Sequence, residues 1–392
     1  MRELSKRVKA VKPSPTLAIT AKAKALKAQG VDLIDFAAGE PDWDTPLFVK
    51  EATVKALEEG FTKYTPSAGI PELREAICEK LRRENGLNYT PDEVIVTAGG
   101  KQALYNLFMA LFEEGDEVII PSPYWVSYIA MALLSGARPV PVDTENNGFK
   151  LAPEDFKKAI TPKTKAVVIN SPCNPTGVVY DEEELSSLAE VALEKDLWII
   201  SDEVYEHLTY DGIKHCSIAS LAPEVKQRTV VVNALSKTYC MTGWRVGFAA
   251  GPREVISAME VIQSQSTSNV TSFVQKGALS ALRNPQDFVK ALRDEFQRRR
   301  DVIYTLVVSR LGLRCVKPSG AFYLFPDFRP FLGKVLKDDQ ELCKYLLERA
   351  KVATIPGSEF GKEGFLRFSF CTPEPALREG VERIRQALEE LA

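Results

Sequence analysis

The 392-residue chain reads as an α/β protein: a mostly parallel sheet between helices, followed by a smaller α+β unit. Two observations predict this. Short, continuously apolar runs recur through the middle of the chain, separated by helical stretches, as strands buried on both faces do. The segments that follow those runs are rich in Gly, Pro and Asn and carry the chemically unusual residues, as at the carboxyl ends of parallel strands.

The elements follow in chain order. Residues 17–29, rich in Ala and Lys, predict a helix, and 33–37 a short strand that runs into a breaker-dense loop at 39–46. From about residue 48 helices and strands alternate. Residues 70–85 predict a helix, and strands are predicted at 93–97, 117–121, 166–170, 197–201 and 229–233. Gly99 and Gly100 open a helix that runs through Phe112. An arginine-rich helix at 288–311 links this unit to a C-terminal one, with strands at 321–325 and 365–370, a helix at 338–351 and a final helix from about 375. The N-terminal segment is expected to pack on that second unit. The expected division is therefore 1–46 as an arm and part of a small domain, 47–285 as the large domain, and 286–392 as the linking helix and small domain.

Composition excludes several classes. A net charge of -3 offers no basic excess for nucleic acid or an anionic membrane. No apolar run approaches the roughly 18 residues of a membrane span. The N-terminus shows no secretory pattern, so the cytoplasm is the expected location. Seven scattered cysteines without a CxxC fit a reducing compartment, with Cys173 and Cys240 as packing residues despite their place inside motifs. The two histidines, His207 and His215, lie beside no other candidate ligand in this reading, so neither a metal site nor a Ser-His-Asp triad is expected.

The most informative run is Asn233 to Gly247, which holds Lys237, a Met-Thr-Gly turn and Arg245. An amine followed by a guanidinium across a glycine turn suits a phosphorylated aldehyde, pyridoxal 5′-phosphate (PLP). The amine forms a Schiff base and the arginine grips the phosphate. Asp202 ends an apolar strand; it either meets a fixed cation such as a protonated pyridine nitrogen or caps a helix. Tyr205, three residues on, can reach the phenolic oxygen of the same ring. Gly99, Gly100 and Lys101 at a strand-to-helix junction form a candidate phosphate cradle, though the spacing is not that of a P-loop. Trp125 either stacks on the ring or belongs to the core. Asn174 either donates to the phenolic oxygen or serves a turn. Arg367, mid-strand among apolar residues, either takes a substrate carboxylate or forms a structural ion pair.

Taken together, SKTYCMTGWRVG, SPCNPTG, SDEVYEHL, AAGEPDWDTP and KYTPSAGIPELREAI resemble the motifs of class I/II aminotransferases of the aspartate aminotransferase family, fold-type-I PLP enzymes. The resemblance runs essentially end to end. It implies a seven-stranded, mostly parallel sheet and ping-pong transamination between amino acids and 2-oxo acids. It implies Lys237 as Schiff-base lysine and proton shuttle, Asp202 on the pyridine nitrogen, Tyr205 and Asn174 on the phenolic oxygen, and Trp125 on the ring. Arg245 with Gly99, Gly100 and Lys101 would bind phosphate, and Gly39 and Arg367 the substrate α-carboxylate. Tyr64 would reach the phosphate of a neighbouring subunit, which implies a homodimer with shared sites. Ala234 departs from the pattern, because many relatives carry a phosphate-binding serine there; Ser236 is the candidate replacement. Lys12-Pro-Ser-Pro-Thr16 and Gly99-Gly-Lys101-Gln resemble the bacterial and plastid branch acting on aspartate and, in some members, prephenate. Lys12, Thr16 and Lys101 are thus expected to recognise a distal carboxylate. Aromatic, alanine or diaminopimelate aminotransferases and PLP lyases of the same fold are the alternatives.

Overall fold

A computed structural model describes residues 3–13, 15–333 and 335–391. The strands are, in chain order, β1 Ile34–Asp35, β2 Val94–Thr97, β3 Glu117–Ser122, β4 Arg138–Asp143, β5 Thr164–Asn170, β6 Trp198–Asp202, β7 Thr229–Ala234, β8 Gly247–Ala250, β9 Tyr323–Leu324, β10 Val352–Ala353, β11 Ile355–Pro356 and β12 Leu366–Ser369. Among the described residues, seven of them form one sheet in the order β2-β8-β7-β6-β5-β3-β4. All neighbours pair in parallel except β8, which runs antiparallel to both β2 and β7.

The alternation of side chains explains the apolar runs. Ile95, Val118, Ile120, Val168, Ile200 and Val232 share one core with helices Gly100–Leu111, Ser127–Ser135 and Arg253–Ser264. Their chain neighbours Val94, Val96 and Val231 face the opposite core, with helices Pro71–Asn85 and Ser272–Arg283. Ile119, Val167, Ile169 and Ile199 likewise meet helix Glu182–Glu194. Both faces are covered, so both registers of each strand must be apolar.

Four strands were not among those predicted: β10 and β11, of two residues each, and, in the large sheet, β4 and β8. β4 carries Pro139 and Pro141, which weaken any strand signal, and it survives as an edge that pairs with β3 alone. β8 is a four-residue strand, Gly-Phe-Ala-Ala, at the end of the lysine–arginine run.

The C-terminal elements build a separate core around Phe296, Phe322, Phe328, Leu366, Phe368 and Phe370. Helix Asp287–Leu311 contributes Leu292, Phe296 and Ile303 to it. β1 joins this part of the fold by pairing in parallel with β10, Ile34 opposite Val352. The N-terminal segment therefore does pack there. Arg300, wholly buried, is held by a bidentate bond to Asp211 at 2.8 and 2.9 Å and donates to the Pro318 carbonyl at 2.7 Å.

A second buried ion pair ties helix Pro71–Asn85 to the end of the sheet. Lys80 donates to Glu206, which also accepts from Asn85 at 2.8 Å and Asn233 at 2.7 Å. Burial opposes the Glu206 charge, but Lys80, then His207 and His215, hold the carboxyl well below the usual range. The histidines thus do lie beside carboxylates: His207 is 3.0 Å from Glu84, and His215 is 3.0 Å from Glu203. Tertiary folding supplies Glu84 to His207 and Glu203 to His215, and Glu206, the chain neighbour of His207, lies 3.5 Å from its Nδ1, which corrects the reading of two unaccompanied histidines.

Lys80→Met should destabilise the protein by about 3–5 kcal/mol, because Glu206 stays buried without its cation. The folded-state pKa of Glu206 is depressed, so its contribution is complete above the unfolded value of about 4.3 and is lost as pH falls below it. Urea denaturation of wild type and variant at pH 7 and pH 4 checks both statements. The gap should narrow at the lower pH.

Candidate active site

The carboxyl ends of β5, β6 and β7 lie side by side. Asn170 stands opposite Asp202, and Asp202 opposite Val232. β8 runs the other way, so the residues that precede it arrive at this same edge. Gly247 pairs with both Thr97 and Ala234. Arg245 is thereby delivered next to the start of helix Gly100–Leu111, and Lys237 follows directly from β7 in the short helix Leu235–Thr238.

Together these ends enclose a cavity of about 480 Å³ lined by Gly39, Gly100, Lys101, Trp125, Asn174, Asp202, Tyr205, Lys237, Arg245 and Arg367. Ala234 and Ser236 line it too. Lys12 does not line it; that side chain is exposed, and its charge acts on Glu359. Tyr64 is also absent from the lining and is 93% exposed. The side chain of Thr16 lies outside the described residues.

Lys237 is half-buried, and its Nζ donates to the Gly39 carbonyl. Burial pushes its pKa down to about 8. At neutral pH a usable fraction of the amine is therefore uncharged, as a nucleophile or proton acceptor requires. Asp202 is buried at the end of β6. Its Oδ2 accepts from the Tyr128 hydroxyl at 2.5 Å and its Oδ1 from the Val204 N–H at 3.3 Å. Burial pushes this carboxyl up to about 6. The chain after Asp202 forms turns rather than a helix, so the helix-cap reading falls away.

The opposite wall belongs to Arg367. It is buried on β12 and donates to Asn174 Oδ1 at 3.1 Å and to the Ala37 carbonyl at 2.9 Å. Its Nε has no partner among the described residues. The guanidinium lies 4.4 Å from the Tyr323 ring and 5.1 Å from that of Phe360. Its charge is thus stabilised by rings and neutral acceptors, not by the structural ion pair that the sequence left open. Tyr205 and Tyr323 share a hydroxyl–hydroxyl hydrogen bond of 2.9 Å.

On the remaining side Gly99 adopts φ +81°, and a Cβ there would fall 2.6 Å from Arg245 Nη2. Arg245 donates to the Thr242 carbonyl at 2.9 Å and the Ala98 carbonyl at 3.4 Å, and among the described residues the rest of its fork is unengaged. Lys101 stands 5.0 Å from the Trp125 ring centroid, and burial followed by the Arg245 charge lowers its pKa.

Three residues here escaped the sequence reading. Tyr128 sits three positions after Trp125 and meets that ring edge-on at 5.4 Å; this helical spacing is its only sequence signal. Asn170 binds the Asn174 N–H at 2.9 Å and the Asp202 carbonyl at 3.0 Å, and Tyr323 lies within a run that reads simply as a strand.

A family model for aminotransferase class I and II matches residues 31–384. The chain belongs to that family. This aminotransferase is 54% identical to a probable aspartate/prephenate aminotransferase of Aquifex aeolicus over 99% of both chains. It is 52% identical to an aspartate aminotransferase of Geobacillus stearothermophilus, again over 99% of both. The structure of Thermus thermophilus aspartate aminotransferase with maleate matches 99% of the aminotransferase and 100% of its own chain, with TM-score 0.94 and 49% identity. The seven-stranded sheet and fold class expected from the motifs are those of this family.

In the cofactor-free protein, Lys237 should react with an amine-selective reagent with a midpoint near pH 8, against about 10.4 for ordinary surface lysines. Peptide mass spectrometry after labelling across pH 6–11 measures it. Co-titration of Lys237 with the surface lysines would contradict the assigned environment.

Proposed function

We propose that the enzyme transfers the amino group of L-aspartate to 2-oxoglutarate, giving oxaloacetate and L-glutamate, with PLP as its cofactor. One observation carries the reading. A single cavity holds an amine lowered toward neutrality, a buried carboxyl with neutral partners, and a buried guanidinium with an unused N–H. The names of the relatives favour aspartate among amino donors.

The donor set fits PLP. The glycine surface at Gly99 and Gly100 leaves room that a Cβ would fill, beside the helix start and Arg245. Those groups would hold the phosphate, with Ser236 as the hydroxyl in place of the serine missing at Ala234. Asp202 would pair with the ring nitrogen, Tyr205 and Asn174 would hold the phenolic oxygen, and Trp125 would cover the ring face. When bound, PLP supplies an electron sink for the charge left by loss of a substrate α-proton.

The protein groups then divide the work. Arg367 takes the α-carboxylate, using the Nε that lacks a partner among the described residues. Gly39 borders the same space, 3.5 Å from the Tyr323 hydroxyl at the point where a Cβ would stand. Lys237, neutral in part, accepts the α-proton at Nζ and returns it. Lys101 faces the cavity beside Trp125 and takes the distal carboxylate, whereas Lys12, exposed and outside the lining, has no part in it in this arrangement of the chain. Prephenate conversion to arogenate is a second reading, favoured by the name of the Aquifex relative.

The division at residues 46 and 285 belongs to the same proposal, as does a homodimer with shared sites. The dimer is supported by exposed Tyr64 and by Leu47, Val54 and Leu57, exposed on helix Leu47–Glu58. A monomeric mass by light scattering at micromolar concentration would overturn the dimer. Among the described residues no helix is long and apolar enough to cross a membrane.

Lys237→Ala should abolish turnover and the visible absorbance of bound PLP; retention of both would overturn the reading. A donor panel of aspartate, glutamate, phenylalanine, alanine and diaminopimelate tests specificity, with stoichiometric oxo-acid formation separating transamination from ammonia-releasing lyase chemistry. Lys101→Ala should raise KM for aspartate at least tenfold while leaving that for alanine within about twofold, a difference of about 1 kcal/mol or more. Equal effects on both donors would remove Lys101 from distal-carboxylate recognition.

A further inference from the structure

The loop from Gly39 to Thr45 crosses from β1 to helix Leu47–Glu58 and passes directly over Lys237. It is fastened on two sides. Toward the lysine–arginine run, Glu40 accepts from Thr242 Oγ1 at 2.8 Å. Thr45 donates to the Cys240 carbonyl at 2.7 Å and accepts from Trp244 Nε1 at 2.9 Å. Toward helix Asp287–Leu311, Asp42 accepts from Arg299 Nη1 at 2.8 Å, and Trp43 meets Phe288 edge-on at 5.7 Å. Arg299 is 4% exposed, and its Nε is fixed in turn by Glu295 at 2.6 Å. A buried guanidinium spanning two carboxylates is a rigid fixture, because leaving either end unpaired is costly.

We infer that Arg299 is a positioning residue for the proton-transfer step: through Asp42 it sets the place of the Gly39 carbonyl, and that carbonyl holds the Lys237 amine when the amine is free. The inference rests on the proposed role of Lys237. Asp42 is three residues from the acceptor carbonyl, so a shift of the carboxylate moves the carbonyl with it. A carbonyl oxygen at Nζ favours the ammonium form and aims the nitrogen. The ionisable groups that act on Lys237 are Cys371, Glu40, Arg367 and Arg245, and Lys237 in turn acts on Asp202. Asp42 and Arg299 both act on Cys371, and their charges are opposite, so a midpoint that moves the same way on loss of either marks an effect carried by the loop.

Two readouts test this in Asp42→Asn, Arg299→Met and Arg299→Lys. In cofactor-free protein, the labelling midpoint of Lys237 should fall by at least half a pH unit in the first two variants and return most of the way in Arg299→Lys. In the PLP-loaded enzyme, kcat should fall about tenfold in the first two, with aspartate KM within about twofold and a larger isotope effect from α-deuterated aspartate. A midpoint and an isotope effect that both match wild type in Asp42→Asn would overturn the proposal. That variant leaves the Arg299–Glu295 pair intact, so its folding does not depend on the broken contact alone. Labelling needs no PLP, so failure of the cofactor reading would show as a wild-type chain inactive with PLP, independent of the midpoint.

Discussion

Three backbone segments meet at Gly247. A Cβ on that residue would lie 2.6 Å from the Gly100 nitrogen, 2.7 Å from the Gly99 carbonyl carbon and 2.9 Å from the Asn233 carbonyl oxygen. No side chain fits there. The approach is possible because β8, which Gly247 begins, runs antiparallel between β2 and β7. Only a reversed strand brings its own leading residues to the edge where the parallel strands end. Arg245, the helix start opposite it and the lysine that leaves β7 are therefore neighbours through one strand reversal. The spacing between Lys237 and Arg245 in sequence is the length of chain needed to leave β7 and enter β8 beside it.

At that edge, burial does the electrostatic work. It pushes Asp202 up to about 6 and Lys237 down to about 8, each toward the pH at which a group can exchange a proton. The Tyr128 hydroxyl and the Val204 N–H limit the shift of Asp202, and Cys371 and Glu40 limit that of Lys237, whose amine donates to the neutral Gly39 carbonyl. The contrast is Glu206, one residue beyond Tyr205. It is just as buried, but a lysine pairs with it and keeps it ionised. The same turn after β6 thus carries one carboxyl left open to exchange and one committed to holding the sheet to helix Pro71–Asn85.

The sequence is legible where a physical demand falls on consecutive residues. Strands covered on both faces must be largely apolar along their length, and β2, β3, β5, β6 and β7 were found that way. β4 and β8 were not, because an edge strand tolerates proline and a four-residue strand of small side chains carries little signal. The cavity-lining residues at strand ends were legible as motifs. Tyr128 and Tyr323 were not, since each reads as an ordinary aromatic until folding sets a hydroxyl against Asp202 or Tyr205. The helix-cap reading of Asp202 failed because the backbone beyond it turns, a property no local composition fixed.

The two ends of the cavity differ in a way that bears on assembly. Arg367, Asn174 and Asp202 are buried within the single chain. Arg245 is exposed at the other end, with part of its fork unengaged among the described residues, and Tyr64 stands almost wholly in solvent. A phosphate bound at Arg245 would on one chain alone remain open to water, where each charge-assisted hydrogen bond is weak. Under the proposed function, the end that would recognise a carboxylate is closed by the chain itself and the end that would hold a phosphate is open on one chain; an exposed tyrosine on a second copy has the chemistry to cover it, with a ring to exclude water and a hydroxyl to donate.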